Sequence, residues 1–166
     1  MSKTVKTFSL FLLLTALLVG LDQFTKHYIV NNFALYSGVS FIKDFFSFYY
    51  VRNTGSAFSF LADKSWGIHV LTFVSCVLAG LVCYCLYKTS SKKDYLLSAA
   101  LTLLLSGAIG NLIDRIRLKF VIDFIRFDFG SYTFPIFNVA DICAVLGTIM
   151  LIAVILFLPA RIEDLW

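Results

Sequence analysis

The chain has 166 residues, of which 60% are hydrophobic and 14% charged, with a net charge of +4 and a mean hydropathy of +0.87. A water-soluble domain of this length would expose such a composition as adhesive surface, so the balance excludes an ordinary soluble globule and marks an integral membrane protein. The basic residues are scattered between apolar runs rather than gathered into a stripe with interleaved aromatics, which argues against nucleic acid as a partner and for a charge excess that reports membrane orientation.

Crossing about 30 Å of hydrocarbon takes roughly 20 apolar residues. Four runs qualify, at 8–28, 67–87, 95–113 and 138–158. The first follows the basic start "MSKTVK" and opens with "FSLFLLLTALLVG", as a secretory leader would. No small-x-small cleavage site follows, and the helical pattern continues into "LDQFTKHYIV", which predicts a retained anchor. Pro159 stops the fourth run before the tail "ARIEDLW". Lys3 and Lys6 precede the first span, Lys88, Lys92 and Lys93 join the second to the third, and Arg161 follows the fourth. The bias of short-loop Lys and Arg toward the cytoplasm therefore predicts both termini inside and segments 31–66 and 114–137 outside, although these also carry Lys43, Arg52, Lys64, Arg115, Arg117, Lys119 and Arg126.

The outer stretches "FIKDFFSFYYVRNTGSAFSF" and "FVIDFIRFDFGSYTF" are dense in Phe and Tyr and alternate partly with period two. That pattern predicts short strands or segments at headgroup depth, which must cover one another or the helix bundle because an open sheet in lipid leaves backbone groups unpaired. Cys76, Cys83, Cys85 and Cys143 fall inside apolar runs with no zinc-like spacing, so buried, inert thiols are expected. With no internal repeat or linker, residues 1–166 are expected to form a single membrane-embedded domain.

Charged residues in this apolar chain converge in one place. At 1.5 Å per residue, Asp22 lies about 21 Å up the first span and Asp114 about 28 Å up the third, while Asp141 sits in the first turn of a fourth span that starts on the same side. Asp123 lies in the segment joining the last two spans. Asp22 with Lys26 is an i, i+4 pair suited to fixing the first helix, and Asn138 is placed to cap the fourth helix, with Asp141 near its dipole. Asp114, Arg115, Arg117 and Lys119 can anchor a helix end in headgroups. Asp123, in "FVIDFIRF", has no adjacent cation, and a lone buried carboxylate is costly, so it is a functional candidate. Two carboxylates brought together share a proton and can activate water for peptide hydrolysis. His27 and His69 are isolated, and no H-E-x-x-H or G-x-S-x-G occurs. The nearby arginines argue against a Mg²⁺ or Ca²⁺ site, so neither metal nor cofactor is expected.

Five blocks carry a resemblance. "LDQFTK" at 21–26, "RNTGSAFSFL" at 52–61, "SGAIGNLIDR" at 106–115, "VIDF" at 121–124 and "FNVAD" at 137–141 resemble, in order and spacing, those of the bacterial lipoprotein signal peptidases, the type II signal peptidases. The resemblance implies an α-helical membrane protein with four transmembrane helices, a small extracytoplasmic β-sheet and a lid segment between helices 1 and 2. It implies an aspartic endopeptidase that removes signal peptides from diacylglyceryl-modified prolipoproteins, cutting on the N-terminal side of the lipidated cysteine. Asp123 and Asp141 match the family's catalytic pair. Asn53, Gly107, Asn111, Arg115 and Asn138 match positions that line the site, and Asp22, Lys26 and Asp114 match supporting positions. Ser56 and Ser106 depart from the family's usual Ala and Gly, and Ser106 could crowd a helix contact. The expected partners are prolipoprotein substrates, membrane lipids and cyclic peptide inhibitors of the globomycin type, the protein acting as a monomer in the bacterial cytoplasmic membrane. A proton-coupled carrier, a lipid-binding scaffold and another intramembrane protease are the competing readings. The carboxylates cluster at the outer edge rather than near the midplane, which argues against a carrier; a scaffold gives no reason for Asp123, and another protease would lack the five blocks.

Overall fold

The computed structural model describes residues 3–55 and 66–163. In chain order the elements are α1 (Lys3–Asn32), β1 (Gly38–Ile42), β2 (Phe46–Asn53), α2 (Gly67–Lys92), α3 (Tyr95–Leu118), β3 (Val121–Phe129), β4 (Tyr132–Thr133), α4 (Val139–Phe157) and α5 (Ala160–Glu163). The lid segment expected between helices 1 and 2 lies outside the described residues, as does Ser56.

All four apolar runs become helices long and apolar enough to cross a membrane. The first three outlast their predicted ends. At 30 residues, α1 is about 45 Å long and overshoots the hydrocarbon. Chain reversal between α2 and α3 is compact: Lys93 takes the left-handed conformation at φ 60°, and the next residue, Asp94, caps α3 by accepting from Leu97 N. At its other end α3 runs on through Asp114 and Arg115 to Leu118, where Lys119 closes it at φ 66°. The segment expected to leave the third span at 114 is therefore helical for another turn, its last turn carrying Arg115 and Arg117 where cations complement the helix dipole.

Among the spans, α3 is the central one. Half of its apolar window is buried, against 11% for α1 and α2 and 22% for α4, and their remaining surface is the apolar kind that lipid covers. Phe11, Leu86, Leu101 and Leu105 form the core among α1, α2 and α3. Lipid supplies no hydrophobic drive for helices to associate, so close approach and polar contacts must do it. Gly107 and Gly110 provide the approach: a Cβ on Gly107 would lie 2.5 Å from Ala140 O, and one on Gly110 would lie 2.7 Å from Asp22 Oδ2. Ser106 does not crowd this contact, since its buried hydroxyl folds back to donate to Thr102 O at 2.7 Å. The cysteines differ from expectation: only Cys143 is buried, whereas Cys83 and Cys85 are half-buried and Cys76 is exposed on the apolar surface of α2, all four as free thiols. In a bilayer, lipid rather than protein can cover such a side chain.

The aromatic outer segments pair into one antiparallel sheet of order β1-β2-β3-β4, two strands from each segment. Below it Ile29, Tyr50, Ile122 and Phe124 form a second core. Between Phe48 and Val51 the β2–β3 register shifts by one residue, so that Val51 faces Asp123 and Asn53 faces Val121. Without that bulge Asn53 would stand opposite Phe120, and the period of two would send its side chain to the face away from Asp123.

Candidate active site

Two groups of carboxylates meet where the sheet joins the bundle. In the first, Lys26 Nζ lies 2.9 Å from Asp22 Oδ2 and 2.9 Å from Asp114 Oδ2, all three side chains being buried. The anticipated i, i+4 pair is thus a three-membered set bridging α1 and α3. The same carboxylates also hold backbone: Asp22 Oδ1 accepts from Ala140 N at 2.9 Å, and Asp114 Oδ2 accepts from Ile122 N at 3.1 Å. One ion cluster therefore pins the start of α4 and the start of β3. Gln23, which sequence reasoning passed over, completes it by donating from Nε2 to Asp114 Oδ1 at 3.0 Å and Gly110 O at 3.1 Å. Its adjacency to Asp22 was the one sequence signal for it.

In the second group, Asp123 on β3 and Asp141 in the first turn of α4 are bound by amides instead of a cation. Asp123 Oδ1 accepts from Asn138 Nδ2 at 2.7 Å and its Oδ2 from Asn53 Nδ2 at 3.0 Å. Asp141 Oδ1 accepts from Asn111 Nδ2 at 2.8 Å and its Oδ2 from Asn138 N at 3.0 Å. The last bond is half of a capping box whose other half is Asn138 Oδ1 accepting from Asp141 N at 2.9 Å. Asn138 Nδ2 also reaches Asn111 Oδ1 at 3.0 Å, so a continuous run of amides joins the two carboxylates. Asp123 is only 2% exposed. Burial first, and then the charge of Asp141, push its carboxyl up to about 7, against the opposing pull of its two amide donors and of Lys26.

Of the residues singled out in sequence, Asn53, Asn111, Asn138, Asp123 and Asp141 come together directly. Gly107 sits a turn away as a helix-packing position. Arg115 makes no ion pair with either carboxylate, but the charges of Asp141, Asp123 and Asp114 act on it, and its buried Nε has no hydrogen-bond partner among the described residues. A separate apolar groove, bounded by Leu12, Ala16, Val19, Ala79, Leu105 and Ile109, runs between α1, α2 and α3, and the polar side chains of Thr15 and Gln23 reach it. A buried carboxyl able to hold a proton at neutral pH, linked to a second carboxylate at a helix N-terminus, is an arrangement suited to general acid–base chemistry.

The family model described as signal peptidase (SPase) II matches residues 14–157. Lipoprotein signal peptidase of Psychromonas ingrahamii is 41% identical over 140 residues, covering 84% of this chain and 80% of the relative. That of Enterococcus faecalis is 44% identical over 139 residues, covering 84% and 83%. A bacterial membrane enzyme solved by the in meso method at 2.3 Å superposes with a TM-score of 0.78 at 28% identity, covering 89% of this chain and 88% of the other.

Proposed function

The chain belongs to the signal peptidase II family, and from that membership and the geometry of its amide-bound carboxylates we propose that it is a membrane aspartic endopeptidase with Asp123 and Asp141 as its catalytic pair. Its substrates on this reading are diacylglyceryl-modified prolipoproteins, cut on the N-terminal side of the lipidated cysteine. The observation that carries the assignment is that the buried Asp123 and the part-buried Asp141 are tied together through Asn138 and Asn111, with no cation among the described residues bound to either.

Asp123, raised to about 7, is the member that holds the shared proton. Asp141, at the positive end of the α4 dipole with both oxygens accepting N–H groups, suits the ionised role. Asp141 takes a proton from water as the water oxygen attacks the scissile carbonyl carbon, and Asp123 gives its proton to the carbonyl oxygen. Collapse of the tetrahedral intermediate breaks the C–N bond. The oxygen returns its proton to Asp123, and the proton held by Asp141 leaves on the amine of the new N-terminal cysteine. Arg115, with its open Nε, holds substrate backbone, and Asn53 and Gly107 shape the site.

The domain is the whole of 1–166, acting as a monomer in the bacterial inner membrane. Both termini lie in the cytoplasm, and the site lies near the extracytoplasmic face, where the charge distribution of the short loops and the aromatic sheet would put it. Cyclic peptides of the globomycin type would occupy the same site. A substrate held by two acyl chains gains about 0.8 kcal/mol per buried methylene, enough to let the membrane itself position the scissile bond. The test is cleavage of matched precursor peptides in one bilayer or detergent. Omitting the lipid, or replacing its cysteine with serine, should lower the rate by orders of magnitude, and equal cleavage of bare and lipidated precursors would leave a general membrane protease as the better reading.

A further inference from the structure

Three side-chain amides bind the carboxylate pair, and each has to present its nitrogen rather than its oxygen. For two of them the backbone makes the choice, because an N–H can only donate. Asn53 Oδ1 accepts from Gly55 N at 3.0 Å, turning Nδ2 toward Asp123, and Asn138 Oδ1 accepts from Asp141 N, turning its Nδ2 the same way. For Asn111 the choice falls to a side chain from another helix. Lys26 has three hydrogens and no acceptor: two go to Asp22 and Asp114, and the third goes to Asn111 Oδ1 at 3.0 Å. With its oxygen held there, Asn111 has its Nδ2 on Asp141. Asn138 Nδ2 supports the same orientation, but its two hydrogens already serve Asp123 Oδ1 at 2.7 Å and Ile122 O at 3.3 Å besides Asn111.

We propose that Lys26 is a positioning residue of the reaction, its ammonium compelling the Asn111 amide to offer a donor to Asp141. This rests on the catalytic pair proposed above. A reversed Asn111 would set a carbonyl oxygen against the Asp141 carboxylate and its NH₂ against the buried ammonium, two repulsive contacts. The charged groups packed around this amide are Asp22 and Lys26 from α1, Asp114 and Arg115 from α3, Asp123 from β3 and Asp141 from α4. Lys26 is 1% exposed, so its charge also acts on the pair with little screening, and it draws Asp123 downward.

Removing Lys26 alone would strand two buried carboxylates, so the test is the double variant Lys26→Met with Asp114→Asn, which keeps the net charge of the set and is compared with Asp114→Asn alone. In folded protein the double variant should lose about 100-fold in kcat beyond the single one, the size expected of a misaligned reacting group. The acid limb of its pH–rate profile should move up by about one pH unit, as for a carboxylate that loses a cation and a donor. Lys26→Arg, which still can only donate, should keep the acid limb in place. A folded double variant with the single variant's kcat and pH profile would reduce Lys26 to a structural role. Should the double variant not fold, Lys26→Arg decides alone, and a shifted acid limb there would overturn the proposal. Failure of the catalytic-pair reading is separate: it would appear as turnover by Asp123→Asn or Asp141→Asn.

Discussion

Two sets of carboxylates stand side by side where the sheet meets the helices, and they are held by different chemistry. Asp22 and Asp114 share the ammonium of Lys26, whereas the donors that Asp123 and Asp141 receive among the described residues are neutral N–H groups. A cation favours the ionised state and fixes a carboxylate as a structural anion. Amides satisfy the same lone pairs and leave the proton free to come and go. The first set accordingly holds backbone from β3 and α4, and the second is suited to chemistry.

The comparison breaks most visibly if the two sets are made alike. Asp123→Asn and Asp141→Asn should each cut cleavage by about 10³-fold or more, the range of general acid–base catalysis, while the protein stays folded in detergent. Near-normal turnover by either variant would remove it from the catalytic pair. Asp114→Asn should do the reverse, costing about 3 kcal/mol of stability because a buried ion set loses a partner, with activity per folded molecule within a few-fold of wild type. Equal abundance with no activity would move Asp114 into the catalytic set.

A smaller effect separates the sets by pH. The folded-state pKa of Asp123 is raised, to about 7, so the folded protein binds more protons than the unfolded chain between the ordinary carboxylate range and that value. Its contribution is therefore unfavourable and grows as pH rises through that window, reaching its full size above about 7. Asp123→Asn should melt higher than wild type at pH 8, by about 1–3 kcal/mol after allowing for the lost bond to Asn53, and the gain should vanish near pH 4. Thermal melts of both proteins across that range check it, and an advantage that grows toward acid would contradict the assignment. Wild-type activity should fall above about pH 7 as the shared proton is lost. The smallest effect is expected from chelators, which should leave the rate unchanged, because every oxygen of Asp123 and Asp141 already accepts an N–H. Loss of rate restored by a divalent ion would contradict this.

Composition and run length were enough to locate the spans, since a bilayer imposes its thickness on any helix that crosses it. Asp123 stood out for want of a cation, and Asn138 with Asp141 had the spacing of a helix cap. Helix ends were less legible: the extra turn at Arg115 and Arg117 depends on charge at a helix terminus, which hydropathy does not weigh. The β2 bulge was invisible, because a shift of one residue arises from pairing between strands and leaves composition unaltered. Gln23 and the third partner of Lys26 were equally hidden. Their bonds cross 91 and 85 residues of chain, and no local period encodes such a contact. The thiols were misjudged because burial was read from apolar neighbours, and in a bilayer those neighbours can face lipid.

The dual role of Asp22 and Asn138 has a consequence for the timing of synthesis. Asp141 enters with α4, which follows the other three spans in the chain, and the start of that helix docks where Asp22, 118 residues earlier, accepts from Ala140 N. A nascent chain with its first three spans inserted already contains Asp123 but has neither the partner carboxylate nor the amide of Asn138 to bind it. On the catalytic pair proposed above, hydrolytic competence would therefore arrive with α4 in one step, and a nascent chain would be inert until that helix docks.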